Sequence, residues 1–267
     1  MAAVRQRLEH QIYSYFAGIQ IPERVTIYDE LILSLRRKDL IATFNWDPLL
    51  VQAYRRNAHL RELHQIAFLH GNVAIGACLK HSEKGYAGSR CTNCGHTYQP
   101  APLLYPVTSK RYRDEPFIAK EWSLLEAKLR NAFMITIFDY SAPASDVDAR
   151  AIMQMAWECN ETRHLSQIEI VDIRPSREIY RNWKDFITRD HYDTSRRISA
   201  TWQYQYPRRS CDSLGAAILL LQPWSPKPLP RYRKLQHLQA WCEPLAAEEF
   251  RYYEEGGSLI PFQDGAT

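Results

Sequence analysis

At 267 residues and 31.3 kDa the chain can bury one substantial core with a small appended lobe. Its 45% apolar and 24% charged residues are those of an ordinary globular protein, and a net charge of +4 spread along the chain excludes a dense basic track for nucleic acid. Six cysteines without a secretory leader point to thiols or metal ligands rather than a disulfide framework.

The opening stretch, MAAVRQRLEHQIYSYF, carries charges throughout and has no apolar core of signal-peptide length. The most apolar later run, Leu214 to Leu221, is too short to span a bilayer. A cytoplasmic protein without a membrane partner is expected. The basic clusters Arg36-Arg37-Lys38 and Arg208-Arg209 read as solvated surface.

In chain order, residues 3–18 and 24–36 have helical spacing of apolar positions. Asp39 to Asn45 reads as a buried strand, and Pro48 opens a helix to about Asn57, since proline suits a first turn where its missing N–H would be unpaired anyway. Leu63 to Leu69 is the next strand. A polar stretch to Gln99 follows, then a strand over Leu103 to Val107. The spacing of Phe117, Trp122, Leu125 and Leu129 predicts a helix over 116–131. Ala132 to Phe138 is a strand, residues 139–146 a loop, and 146–158 a helix. Ile168 to Ile173 is a strand, and 176–188 a helix with Ile179, Trp183, Phe186 and Ile187 on its core side. Beyond residue 190 the pattern weakens into an Arg- and aromatic-rich segment, a proline-punctuated linker, a helix over 232–255 and a frayed tail.

Strand and helix in alternation predict an α/β fold, with a parallel sheet and helices on both faces. Ligands of such sheets bind beyond the carboxyl ends of the strands. Asn45, His70, Asp139 to Ser141 and Asp172 all stand at such ends, and their convergence predicts one ligand site.

Cys78-Leu-Lys-His81 and Cys91-Thr-Asn-Cys94 form a CxxH and a CxxC pair, with residues 82–90 between them. Zinc takes four such ligands in a tetrahedron, and a polar insert without a core of its own needs a staple. Cys78, His81, Cys91 and Cys94 are the expected ligands of a closed, structural zinc site, with His96 competing for the histidine position. Cys159, Cys211 and Cys242 stand alone and read as packing residues.

With these residues in place the chain resembles a known family. TFNWD at 43–47 resembles the TxNxD strand end of sirtuin-like NAD-consuming domains, and LHG at 69–71 resembles their His-Gly signature. A cysteine zinc insert follows directly. ITIFDYSAPASDVDARAI is similar to the sirtuin strand, loop and helix that meet the cofactor ribose and phosphates, and IEIVDI to the later strand near the adenosine half. The resemblance covers about residues 39–175 and is nearer to bacterial sirtuin-like proteins, many tied to phage defence, than to histone deacetylases. It implies a Rossmann-like domain over 1–190, with the zinc insert at 76–100, and a mostly helical C-terminal extension over 191–267.

The resemblance implies NAD as ligand and cleavage of its nicotinamide–ribose bond. Thr43, Phe44, Asn45 and Gly71, with Tyr140, Ser141 and Asp172 further on, are the positions it sets against NAD. Of these, Asn45 would hold the ribose or an attacking water. Asp47 would orient the nicotinamide carboxamide or its loop, and His70 would act as general base. Ser141 would hold phosphate oxygens, and Asp172 would accept from adenosine-side hydroxyls. The family's Gly-rich, GAGxS-type loop has no counterpart here: before Thr43 the only glycine is Gly18, and Asp139 stands at a position where the family has glycine. The phosphate cradle is therefore expected from residues upstream of Met1, or from a partner chain or second copy completing the site; failing both, the domain is a binding or scaffold module. Protein deacylation and a zinc-stapled module using 189–210 are the competing readings.

Overall fold

The computed structural model describes residues 2–255 apart from 61–62, 82, 106–111, 144–145 and 188–190. The chain divides into two units, each assembled from separate stretches. The first comprises Met1–Glu23, Leu40–Arg56 and Gln65–Leu125; the second comprises Arg24–Asp39, Asn57–His64 and Glu126–Thr267.

In the first unit, helix α1 (Ala2–Ala17) leads to strand β1 (Leu40–Thr43), helix α3 (Leu49–Arg56) and strand β2 (Gln65–Phe68); α2 (Ile27–Ser34) belongs to the second unit. β1 and β2 pair in parallel, with Thr43 opposite Phe68, so both strands end at the same level. Three short antiparallel strands form the insert: β3 (Ile75–Ala77) lies between β4 (Lys84–Tyr86) and β5 (Gln99–Pro100). The polar stretch therefore holds regular structure, and Gly76 and Gly85 lie against Tyr98 with no room for a Cβ. Helix α4 (Pro116–Leu129) follows, and the unit ends within it at Leu125; Trp122, Leu125 and Leu129 are buried as expected, whereas Phe117 is half-buried and Ile118 is buried in its place. The segment after α1 is held by Gln52, whose side chain accepts from the Ile21 N–H at 2.7 Å and donates to the Ile19 carbonyl at 2.9 Å.

The strand expected over Leu103 to Val107 does not form across 101–105, and Val107 lies outside the described residues. These residues make single backbone bonds instead: Ala101 N–H to the Ile75 carbonyl, and Leu104 N–H to that of His70, both at 2.9 Å.

The second unit centres on a parallel sheet of β6 (Met134–Phe138), β7 (Gln167–Val171) and β8 (Tyr192–Ser195), in that order. Helices α5 (Val147–Glu158) and α6 (Ser176–Trp183) follow β6 and β7 in the expected alternation. α6 stops short of residue 188, yet Ile179, Trp183 and Phe186 are buried as the spacing predicts. α7 (Trp202–Gln205), α8 (Ser210–Ile218) and α9 (Leu235–Glu255) complete it. α2 starts at a capping box in which Asp29 accepts from both the backbone N–H and the hydroxyl of Thr26. Leu33, Leu60, Tyr204, Leu229, Leu235, Leu238 and Cys242 form one apolar cluster. The tail beyond residue 255 lies outside the described residues.

Two expectations are corrected here. Arg208 and Arg209 are buried, and so is Arg36. Arg208 pairs with Glu249 at 2.8 Å, Arg209 with Glu248 at 2.8 Å, and Arg36 with Asp212 at 2.6 Å. Carboxylates distant in sequence let these guanidinium groups leave water, which local composition does not reveal. Cys159, expected to pack, is exposed at the end of α5, whereas Cys242 is buried.

No described helix is long and apolar enough to cross a membrane.

Candidate functional site

β1 and β2 leave the sheet of the first unit through Asn45-Trp46-Asp47 and His70-Gly71. The Leu69 N–H reaches the Thr43 carbonyl at 2.9 Å, extending the ladder one residue before the exits part. At the first exit the Thr43 hydroxyl accepts from the Asn45 N–H at 3.1 Å, and the Asp47 carboxylate accepts from the Leu49 N–H at 3.0 Å. Asp47 thus opens α3 through an Asx turn, while Asn45 is exposed.

At the second exit Gly71 has φ of 79°. A Cβ there would stand 1.9 Å from the Pro102 carbonyl oxygen, so both conformation and close approach require glycine. The chain turns back through the Gly71 N–H to the Phe68 carbonyl at 3.0 Å. This turn sets the His70 ring beside Phe44, edge to face with centroids 4.8 Å apart, and parallel to the Tyr112 ring at 5.7 Å. His70 Nε2 lies 3.2 Å from the Tyr112 hydroxyl. His70 is only 9% exposed, so its ring is held in one orientation at the rim of the unit.

Asn72 joins the exits. Its side-chain NH2 donates to the Asp47 carbonyl at 2.7 Å and the Asn45 carbonyl at 3.3 Å, while its oxygen accepts from the Ala74 N–H at 2.9 Å. The Val73 N–H adds a bond to the Trp46 carbonyl at 3.0 Å.

In the insert, the ligand atoms of Cys78, His81, Cys91 and Cys94 all lie within 4.8 Å of one another. Cys78 Sγ is 3.6 Å from both His81 Nδ1 and Cys94 Sγ, and Cys91 Sγ is 3.6 Å from His81 Nδ1. A tetrahedral zinc ion, about 2.3 Å from sulfur and about 2.0 Å from nitrogen, sets ligand edges of about 3.5 to 3.8 Å. The donor set and these spacings fit zinc. His96 is exposed, and its carbonyl instead accepts from the Cys91 N–H at 2.9 Å, which leaves the histidine position to His81. Gly95, with φ of 72°, closes the knuckle by donating to the Cys91 carbonyl at 2.8 Å.

Burial alone would raise the Cys78 thiol, yet the N–H groups of His81 and Lys80 and the neighbouring Cys94 and Cys91 outweigh it, and the thiol lies below its usual range. Around Cys94 the His96 N–H favours the thiolate. Burial and the Cys78 and Cys91 sulfurs prevail, and that thiol lies above its usual range.

The sheet of the second unit ends in its own polar exits. Asp139 has φ of 53° and donates its N–H to the Val171 carbonyl at 3.1 Å. The Tyr140 hydroxyl meets Asp146 at 3.2 Å, and the Ser141 carbonyl accepts from Asn182 at 3.2 Å. Asp172 is buried and gripped by Arg174, whose Nε lies 3.0 Å from both carboxylate oxygens. That guanidinium holds the Asp172 carboxyl below its ordinary range. Asp172 therefore presents itself as half of an ion pair.

No protein-family model matches the chain, and no curated protein does. Solved structures of Sir2 enzymes overlap it at low identity. One, on the mechanism and regulation of Sir2 enzymes, covers 81% of this chain and 80% of its own at 14% identity and a TM-score of 0.40. A Sir2 homologue–NAD complex covers 80% of this chain and 64% of its own, at 13% identity and a TM-score of 0.34. A mutant Sir2 homologue with ADP-ribose covers 68% of this chain and 62% of its own, at 14% identity and a TM-score of 0.33. This chain spans less than two thirds of the length of the latter two.

The first unit brings Thr43, Phe44, Asn45, Asp47, His70 and Gly71 to one end of one sheet, and gathers all four predicted metal ligands. Tyr140, Ser141 and Asp172 stand together at the sheet end of the second unit. Sequence reasoning missed Asn72, Tyr112 and Arg174. Asn72 directly follows the His-Gly pair and Arg174 follows Asp172 by two positions, so their nearness was a usable signal; Tyr112 carried none.

Proposed function

We propose that the chain is a sirtuin-like NAD-binding domain that cleaves the nicotinamide–ribose bond of NAD, with a structural zinc site. The observation that carries this reading is the alignment of the Asn45-Trp46-Asp47 and His70-Gly71 exits on adjacent parallel strands, tied by Asn72. Cleavage of that bond builds positive charge on the ribose, so the site must present a carboxamide or carboxylate, a general base and a bound water. Asn45, exposed at the strand end, is suited to hold the ribose or the water. His70 is suited to take a proton through an imidazole nitrogen, its ring being set between Phe44 and Tyr112. Asp47 fixes the exit through its bond to Leu49 and acts through the geometry of Asn45. Phe44 and Gly71 shape the wall beside the His70 ring. In the second unit Tyr140 and Ser141 form a polar sheet end of their own with Asp172, whose carboxylate Arg174 holds.

The closed set of Cys78, His81, Cys91 and Cys94 makes zinc a staple for the insert, without an open position for catalysis. A role in phage defence follows from the family resemblance and extends this reading to a cytoplasmic NAD-depleting effector.

Calorimetric titration with NAD, paired with nicotinamide release in the presence and absence of an acyl-lysine peptide, tests it. NAD binding and peptide-independent release are expected. Release that requires the peptide would make the chain a deacylase, and no NAD binding at all would make it a binding module of another kind.

A further inference from the structure

β2 meets β1 along one edge only. Its other edge presents the Ile66 carbonyl and the Phe68 N–H, since residues two apart on a strand point the same way. Among the described residues no strand pairs there. Two side chains take its place. Glu121 of α4 accepts from the Phe68 N–H at 2.8 Å, and Lys84 of β4 donates to the Ile66 carbonyl at 2.6 Å. Lys84 also reaches both oxygens of Glu121, at 2.9 and 2.8 Å, which uses all three of its N–H bonds. Glu121 is 2% exposed, so its charge is compensated by Lys84 within the unit. Trp122, the next residue of α4, donates to the Leu69 carbonyl at 3.1 Å, and its ring packs on Tyr112 with centroids 4.5 Å apart.

Lys84 stands on the metal insert. It pairs with Ala77, the residue before Cys78, and the Cys78 N–H donates to the Glu83 carbonyl at 2.8 Å. The same short strand pair therefore carries a metal ligand on one side and the cation for Glu121 on the other.

From this we infer that Glu121 is a positioning residue for His70, and that Lys84 makes its hold depend on the metal-stapled insert. With the insert closed, Lys84 neutralises Glu121, and the two grip β2 at Ile66 and Phe68, four and two residues before His70. With the ligands released, β4 loses its anchor, Lys84 withdraws, and Glu121 is left as a buried, uncompensated carboxylate that must turn to water. The Phe68 N–H then loses its acceptor, and the Phe68-Leu69 stretch that orients His70 loosens. The insert is thus a regulatory input to the strand end, sensitive to metal supply. The inference rests on His70 as the functional group of the proposed site.

The test is a coupling measurement on the whole chain, metal-loaded and chelator-treated, as wild type, Lys84→Met and Lys84→Arg. Hydrogen exchange at the Phe68 amide and the ring resonances of His70 are read without any nucleotide. In the wild type, metal removal is expected to speed Phe68 exchange by about tenfold or more and to shift the His70 ring signals. In Lys84→Met the loaded protein already shows both changes and metal removal adds less than about twofold, while Lys84→Arg restores the wild-type response. Equal responses in wild type and Lys84→Met, no response in the wild type, or an equal rise at every β1 and β2 amide would overturn the inference. Should Lys84→Met fail to fold, Glu121→Gln drops the ion pair but keeps a neutral acceptor for Phe68, so its Phe68 exchange should stay slow and change less than about twofold on metal removal, and a wild-type-sized response there would overturn the inference. Neither readout involves NAD, so loss of the coupling and failure of the NAD reading are seen separately.

Discussion

Asn72 donates to the Asp47 carbonyl at 2.7 Å, so a side chain that is 1% exposed ties the exit of β1 to the exit of β2. Asn72→Ala leaves the carbonyls of Asn45 and Asp47 and the Ala74 N–H without these partners. A loss of about 1–3 kcal/mol is expected, the cost of unsatisfied buried polar groups, visible as a lower urea midpoint. NAD affinity should fall with it, because the two exits are then free to separate.

Gly71→Ala should be costlier than most glycine substitutions. The positive φ alone costs an L-residue about 1–2 kcal/mol, and the Pro102 carbonyl must also move away from the new Cβ. A drop of at least about 2 kcal/mol by chemical denaturation is expected. A loss under half of that would show that the turn can relax at little cost.

The insert should bind one zinc per chain. Cobalt substitution should give the absorption of a tetrahedral thiolate site, and Cys91→Ser should lose both metal and spectrum. His96→Ala should keep the spectrum and His81→Ala should weaken it, since only His81 lies with the three thiols.

Glu169 contributes to the expected pH dependence of stability. It lies buried in the middle of β7, and burial pushes its carboxyl up to about 7 against the Trp202 N–H and the Thr136 hydroxyl. Its ordinary value is 4.5. Between those values the folded chain binds the proton that the unfolded chain has released. The stabilisation is therefore complete below about pH 4.5 and is lost as pH rises through 7, by about 1.4 kcal/mol per pH unit. Burial pushes the Glu249 carboxyl up to about 7 as well, so Glu169→Gln should reduce the slope of this part of the profile without abolishing it, measured from denaturant midpoints between pH 4.5 and 7.5.

Much of this arrangement was legible from local pattern. β-rich runs ending in Asn45 and His70 are parallel neighbours, the α4 and α6 faces are buried where Trp122 and Trp183 predicted, and the two ligand pairs meet. The features that escaped notice depend on residues far apart in sequence. Glu121 meets Phe68 and Lys84, and Arg208 meets Glu249; no local period encodes such pairs. A polar residue inside an apolar run, such as Glu169 in IEIV, reads as an interruption until its partners Thr136 and Trp202 are placed around it. The strand Tyr192–Ser195 was missed because YDTS has no apolar alternation; its partner β7 supplies the order. Asp47 in turn is engaged by the Leu49 N–H at the start of α3, a bond between residues two apart.

The most direct measurement is nicotinamide release from NAD by the wild type and by His70→Ala. Loss of a positioned general base costs on the order of 100-fold or more in rate, so release by the wild type and a drop of about that size in the variant are expected. Equal rates from the two proteins would contradict the placing of NAD cleavage at the His70 strand end.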